Sequence, residues 1–136
     1  MLFNLFTKFN ANNKYANFYE NEFYDLINQP VNLLKVKADN SIPVWQKFLQ
    51  RSNIYCIDNF NNNEPNKFPY LNKDRTFWSR CNIDDEDDIK RVMSEIWKKP
   101  RFDIIIDNTN KRYNFLKKYC IGKYYVEEND NVRIII

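Results

Sequence analysis

The sequence predicts an α/β domain, a small, doubly wound and mostly parallel sheet with helices on both faces. Strand patterns alternate with helix patterns along the 136 residues, and the links between them are short. Phe102, Ile104, Ile105 and Ile106 form an apolar run that is too short for a stable helix, and its β-branched residues suit a strand covered on both faces. Such alternation produces a parallel sheet with helices packed on each side.

Length and composition limit the classes of function. A chain of this size makes one domain with its own core. The net charge is +3, and the Lys, Asp and Glu residues are interspersed without a basic stripe, so nucleic acid is not a favoured partner. The chain contains no His, which excludes Ser-His triads, Cys-His pairs and His metal ligands. Catalysis would have to use carboxylates, Lys, Tyr or Cys.

Cysteine use and apolar runs bear on the compartment. Cys56, Cys81 and Cys120 are far apart and odd in number, so we expect buried, reduced thiols. The first residues lack the basic leader and apolar length of a signal peptide, and no stretch approaches about 18 apolar residues. We therefore expect an intracellular protein without a membrane span. The 22 Asn and single Gly suggest an AT-rich coding genome, such as that of a large DNA virus, a protist or an organelle.

Residues 1–12 are predicted to be an N-terminal arm or short helix, and 13–136 a single domain. The apolar residues Leu2, Phe3, Leu5, Phe6 and Phe9 need a surface, which is either this domain or a partner. Residues 13–28 repeat apolar side chains every three or four positions and predict an amphipathic helix.

The middle of the chain predicts three strands and two helices. Residues 31–38 form the first strand, and an N-cap cluster at 39–41 opens a helix with its buried face at 44–49. Residues 53–58 form the second strand, 59–74 an Asn-rich polar loop with one central turn, and 75–81 the third strand. The acidic residues 84–88 then begin a helix, where they complement the helix dipole, with metal binding as the alternative.

The last part of the chain carries the residue first suspected of chemistry. Asp107 ends the buried strand 102–107, and side chains at the carboxyl ends of parallel strands line the ligand crevice. The alternative is that Asp107 or Asn108 caps the helix predicted for about 110–120. Gly122 would stop that helix. A fifth strand at 123–127 and a last strand at 132–136, antiparallel to the fifth, complete the prediction of five parallel strands plus one short C-terminal strand.

Four segments, in order and at the right spacing, resemble a known family. They are LLKVKADNSIPVW (33–45), IYCID (54–58), FDIIIDNTNK (102–111) and GKYYVEE (122–128). They are similar to motifs of the class I S-adenosylmethionine-dependent methyltransferases, in the branch of macrocin O-methyltransferase and the cephalosporin hydroxylase-like proteins. The resemblance covers roughly residues 33–128 and implies a Rossmann-like fold.

The resemblance also assigns roles to individual residues. It implies that Asp58 binds the cofactor ribose, with Lys37 and Ser41 as further cofactor positions. From the last two motifs, the resemblance implies that Asp107, Glu127 and Glu128 bind a divalent metal such as Mg²⁺. It also implies catalytic roles for Asp107 and Lys111. Three adjacent carboxylates would repel one another without a hard cation, which would lower the pKa of a substrate hydroxyl. The alternative is that Glu127 and Glu128 are solvated turn residues.

The chain departs from the family pattern at three places. Lys35 and Lys37 stand where Glu and Gly are expected in the first motif, and Lys111 replaces the His of the fourth-strand motif. The segment beyond the fifth strand is short. Because glycine lets the backbone approach the cofactor, these changes indicate a degenerate site.

Three functions follow as hypotheses. The first is a non-catalytic structural or interaction subunit of a larger viral or organellar assembly. Such a subunit needs no cofactor, and its partners are other protein subunits. The second is an active, metal-assisted O-methyltransferase using S-adenosylmethionine and Mg²⁺. The third is a nucleotide or nucleic-acid binding module that uses Lys35, Lys37 and Lys111 at the strand ends.

Overall fold

The computed structural model of the chain describes residues 1–98, 100–108, 112–118, 124–128 and 132–135. Among these residues, no helix has the length and apolar character that a bilayer crossing requires. Cys56 and Cys81 are buried free thiols, as predicted, and Cys120 lies outside the described residues.

A single sheet forms the centre of the fold, with strand order β3-β2-β1-β4-β5-β6. The strands are β1 (Asn32–Val36), β2 (Asn53–Asp58), β3 (Thr76–Arg80), β4 (Ile104–Asp107), β5 (Tyr124–Glu128) and β6 (Val132–Ile135). The first five run parallel, and β6 pairs antiparallel with β5. The order reverses between β1 and β4, and in open α/β sheets the ligand crevice lies at that switch point.

The helices alternate with the strands as predicted. They are α1 (Leu2–Lys8), α2 (Ala16–Phe23), α3 (Ser41–Phe48), α4 (Glu86–Arg91) and α5 (Tyr113–Leu116). Helix α2 is shorter than the predicted 13–28 and continues as a 3-10 turn, Tyr24–Leu26. The loop 59–74 holds two 3-10 turns, Pro65–Lys67 and Pro69–Asn72, where one was expected. Proline at the start of each turn fixes a backbone angle that these turns need.

An aromatic core covers the first face of the sheet, under α1, α2 and α3. Phe6, Tyr19, Phe23 and Trp45 are each no more than 3% exposed, and their rings contact one another edge to face or stacked. The segment 1–12 therefore finds at least part of its surface within the chain, since α1 buries Leu2 and Phe6 in this core.

An aliphatic core covers the second face, under α4 and α5. Leu34, Ile105 and Val36 of the sheet pack with Ile89 and Met93 there. Asp85 caps α4 by accepting a hydrogen bond from the Asp87 amide, as the acidic start of this helix predicts. The last turn of this helix, Val92–Ile96, is wider, with π-type geometry. Helices therefore pack on both faces of the described sheet.

Candidate functional site

Two adjoining cavities open at the carboxyl ends of the central strands. The larger, about 600 Å³, lies beyond β1, β4 and β5, where Ser41, Asn108 and Glu128 line it. The smaller, about 310 Å³, lies beyond β1 and β2, where Lys37 and Asp58 line it. Both are lined by Ala38, Asn63 and Phe68, so they form one cleft across the switch point. The Asn-rich loop thereby supplies a wall of the cleft.

The turn after β1 keeps a glycine-like backbone with a lysine in it. Lys37 has φ of 75°, in the left-handed region that normally favours glycine. Its amide donates a hydrogen bond to the Ile57 carbonyl at 2.8 Å. The backbone at this point therefore turns even though the residue is a lysine, and the Lys37 side chain is exposed beside the smaller cavity.

Asp58 ties the two loops that border the smaller cavity. Its Oδ2 accepts a hydrogen bond from the Ala38 amide at 2.9 Å, and its Oδ1 accepts one from the Phe60 amide at 3.1 Å. Each carboxylate oxygen has a second lone pair, so Asp58 retains capacity to accept hydrogen bonds from ligand hydroxyls. Asp58, predicted to bind the ribose of the cofactor, therefore lines the smaller cavity and also holds the two loops together.

Ser41 stands at the first position of α3 and lines the larger cavity. Its amide donates a hydrogen bond to Asp39 Oδ1 at 2.9 Å, and its hydroxyl donates to the same oxygen. Burial acts to raise the pKa of the Asp39 carboxyl, but the Lys35 ammonium and the Ser41 hydrogen bonds prevail and lower it. A carboxylate therefore stands at the cavity wall.

Lys35 is buried beside the cavity wall, a position that the sequence did not reveal. Its side chain is 2% exposed, and Nζ lies 2.9 Å from Asp39 Oδ2. Burial by itself lowers the pKa of this ammonium, but the carboxylates of Asp39 and Glu128 outweigh it and raise the pKa. The sequence signal for this ion pair was the i,i+4 spacing of Lys35 and Asp39. That spacing predicts an ion pair on a helix, but it does not predict one at the end of a strand.

Glu128 and Asn108 form the wall of the larger cavity beyond β5 and β4. Glu128 accepts a hydrogen bond from the Tyr19 hydroxyl. Burial and this carboxylate together raise the pKa of Tyr19 well above its ordinary value, so the phenol stays protonated. Asn108 Oδ1 is buried and has no hydrogen-bond partner in the part of the chain that the structure describes.

Asp107 lies in a buried ion pair. Its side chain is 0% exposed, and its Oδ1 accepts a hydrogen bond from Arg112 Nη1 at 2.9 Å. Its Oδ2 accepts one from the Tyr125 hydroxyl at 2.5 Å. Arg112, which sequence reasoning missed, also donates to the Ile83 carbonyl at 2.8 Å and contacts Asp84 at 3.1 Å. Burial, followed by the Asp107 charge, raises the pKa of Tyr125.

The three carboxylates predicted to bind metal are not brought together. Asp107 and Glu127 are neighbours in the register of β4 and β5, but successive residues of a strand point to opposite faces. Glu128 accordingly meets Tyr19 on the first face, whereas Asp107 meets Arg112 on the second. Among the described residues, no group of three or more such side chains could hold a metal ion, and this applies also to the acidic cluster at 84–88.

The basic residues predicted at the strand ends do not form a cluster among the described residues. Lys35 is buried against Asp39, and Lys37 is exposed. Lys111 lies outside the described residues, so its predicted catalytic role stays a prediction. A nucleotide phosphate would therefore find at most Lys37 of the two described lysines.

Comparisons with known proteins give a likeness in structure alone. No protein-family model and no curated protein matches the chain. Solved structures of MycE, a methyltransferase from the mycinamycin biosynthetic pathway, do match. The complex with Mg, SAH and mycinamycin VI has a TM-score of 0.75 at 19% identity, covering 93% of this chain and 38% of that one. Two crystal forms with Mg and SAH give TM-scores of 0.76 and 0.74.

The matched region accounts for nearly all of this chain but only 35–38% of the MycE chain. The fold of this chain is the class I S-adenosylmethionine-dependent methyltransferase fold.

Proposed function

We propose that this chain is a methyltransferase-fold domain that does not perform metal-assisted methyl transfer and acts as a structural or interaction subunit of a larger assembly. The observation that carries the proposal is the internal pairing of Asp107 with Arg112 and Tyr125. A divalent cation there would compete with a guanidinium for the same carboxylate. Glu128, on the other face, cannot join Asp107 in one coordination sphere.

Exposed apolar side chains support the interaction role. Phe77 and Trp78 on the edge strand β3 are 44% and 37% exposed, and Phe3 of α1 is 47% exposed. Two other phenylalanines of the N-terminal arm contact the chain itself: Phe6 is buried in the aromatic core, and Phe9 is partly buried against it. Exposed aromatic side chains on a sheet edge are common at protein interfaces. Purified chain that stays monomeric over a hundredfold range of concentration in sedimentation velocity would weigh against this role.

The metal part of the proposal is tested by calorimetric titration with Mg²⁺ in the presence of S-adenosylhomocysteine. We expect no stoichiometric binding, and Asp107→Asn should behave as the unmodified chain does. Asp25→Asn, on the exposed turn after α2, is the matched control. Stoichiometric Mg²⁺ binding that Asp107→Asn abolishes and Asp25→Asn retains would contradict the proposal.

The cleft itself favours a second candidate, an O-methyltransferase that uses S-adenosylmethionine. Asp58 lines the smaller cavity and the larger one adjoins it, as a bound nucleoside and its amino-acid tail would require. The MycE structures contain SAH and Mg. S-adenosylmethionine binding that Asp58→Ala removes, together with methyl transfer to a hydroxylated acceptor, would favour this candidate over the first.

A further inference from the structure

The larger cavity presents mainly uncharged hydrogen-bonding groups. Its uncharged polar lining residues are five asparagines and two residues with hydroxyls, namely Asn10, Asn12, Asn40, Asn63, Asn108, Ser41 and Tyr15. Amides both donate and accept hydrogen bonds, so they suit a ligand with hydroxyl, amide or heterocyclic groups. The buried Asn108 Oδ1 lacks a partner among the described residues and would accept a hydrogen bond from such a ligand.

Two carboxylates, those of Asp39 and Glu128, also stand in this wall, with Lys14 as the cation among the lining residues. Two carboxylates beside a cavity would ordinarily favour a positively charged ligand. The Lys35 ammonium lies behind them, outside the cavity lining, at 2.9 Å from Asp39 Oδ2 and 3.4 Å from the Val36 carbonyl. Lys35 thus offsets the charge of Asp39 from the protein side, and with Lys14 it balances the two carboxylates.

The buried position of Lys35 strengthens the effect of its positive charge on the Asp39 carboxylate. The Lys35 side chain is 2% exposed whereas that of Asp39 is 51% exposed, so the ammonium is buried while its carboxylate partner faces the cavity. Moving away from Asp39 would leave the buried ammonium without this ion pair. A ligand cation in the cavity would therefore meet a carboxylate that is already paired with a cation.

We propose that Lys35 makes the larger cavity selective for a net-neutral, hydrogen-bonding ligand and against a cationic one. Lys35 is a specificity residue in this assignment, acting through Asp39. The inference goes beyond the proposed function, because it concerns what the cavity accepts whether or not the chain transfers a methyl group.

A pair of probes that differ by one methyl group and one charge tests the inference. S-adenosylmethionine carries a sulfonium cation, and S-adenosylhomocysteine has an uncharged thioether in its place. In calorimetric titrations, we expect the unmodified chain to bind the thioether about tenfold or more tightly than the sulfonium, from the weight of one charge at short range. Lys35→Met should remove about tenfold of this preference. Lys47→Met, an exposed lysine of α3, is the matched control and should leave the preference unchanged.

A second variant separates charge from shape and guards against misfolding of the first. Asp39→Asn removes one carboxylate with little change in volume and keeps Lys35, so the preference for the thioether should increase. Absence of binding of S-adenosylhomocysteine to the unmodified chain would overturn the inference. So would equal preference in the unmodified chain and in folded Lys35→Met, or a preference that Asp39→Asn leaves unchanged or weakens.

Discussion

At the scale of single residues, the turn after β1 keeps the backbone conformation that glycine favours, although a lysine occupies the position. The sequence identified 35–37 as the place where the family has Glu and Gly, and Lys37 does adopt the left-handed angle that glycine favours. A non-glycine residue in this region costs about 1 kcal/mol, because its Cβ crowds the following carbonyl. The neighbouring Lys35, by contrast, could be placed only by the fold, since its partner Asp39 lies beyond the turn.

Lys37→Gly should therefore stabilise the protein. Relief of the Cβ contact, offset by the greater freedom of glycine in the unfolded chain, should raise the free energy of unfolding by about 0.5 kcal/mol. Urea denaturation measures it. Lys47→Gly is the control in the opposite sense, because glycine at this exposed position of helix α3 should lower that free energy by about 1 kcal/mol. A loss of stability in Lys37→Gly would contradict the strain at this turn.

The buried thiols provide a second prediction at this scale. Burial and the nearby Asp88 carboxylate raise the pKa of Cys81 to about 12, and burial raises that of Cys56 as well. Because the thiolate is the reactive form, both should react with a disulfide reagent at pH 8 only when the chain opens. In a Cys120→Ser protein, we expect the rate of reaction to follow the rate of unfolding. Rapid, stoichiometric labelling under native conditions would show that one of the two thiols is accessible.

At the scale of elements, apolar periodicity was sufficient to predict most helices and strands. β2 has the predicted bounds, and the remaining strands begin or end within two residues of theirs. What periodicity left open was the surface that covers α1. That choice depends on the space between α2 and α3, which Phe6 fills by stacking on Tyr19 and meeting Trp45 edge on.

Two phenylalanines of α1 should consequently differ in their contribution to stability. Phe6 is 3% exposed and Phe3 is 47% exposed. Phe6→Ala should lower the free energy of unfolding by about 3–5 kcal/mol, because it leaves a cavity in the aromatic core. Phe3→Ala should change it by less than about 0.5 kcal/mol. Equal effects in chemical denaturation would mean that α1 does not pack on the core in solution.

At the scale of the whole molecule, Arg112 connects parts of the chain that are far apart in sequence. It joins the Ile83 carbonyl and Asp84, after β3, to Asp107 at the end of β4. With Arg112 removed, Asp107 would be left as a buried charge lacking its guanidinium partner. Arg112→Ala should therefore lower the free energy of unfolding by about 3–5 kcal/mol.

The matched control for Arg112 is an exposed ion pair of the same face. Lys118 and Glu86 lie 2.7 Å apart and are 59% and 47% exposed. Lys118→Ala should change the free energy of unfolding by no more than about 1 kcal/mol, since water screens this pair. If thermal and urea denaturation gave the two variants the same stability, the ion pair of Asp107 would not be a structural link.

The sequence by itself determined the fold class and the positions of most strands, because the spacing of apolar side chains reports which residues face a core. It also placed Asp58, Lys37 and Ser41 at the strand ends where the cleft lies. Only the tertiary structure decided how the charges pair. Glu127 and Glu128 are adjacent in sequence but serve opposite faces of one strand, and Asp107 meets Arg112 and Tyr125 instead of a third carboxylate. Charge pairing depends on distances of a few ångströms between separate elements, and one-dimensional spacing does not encode those distances.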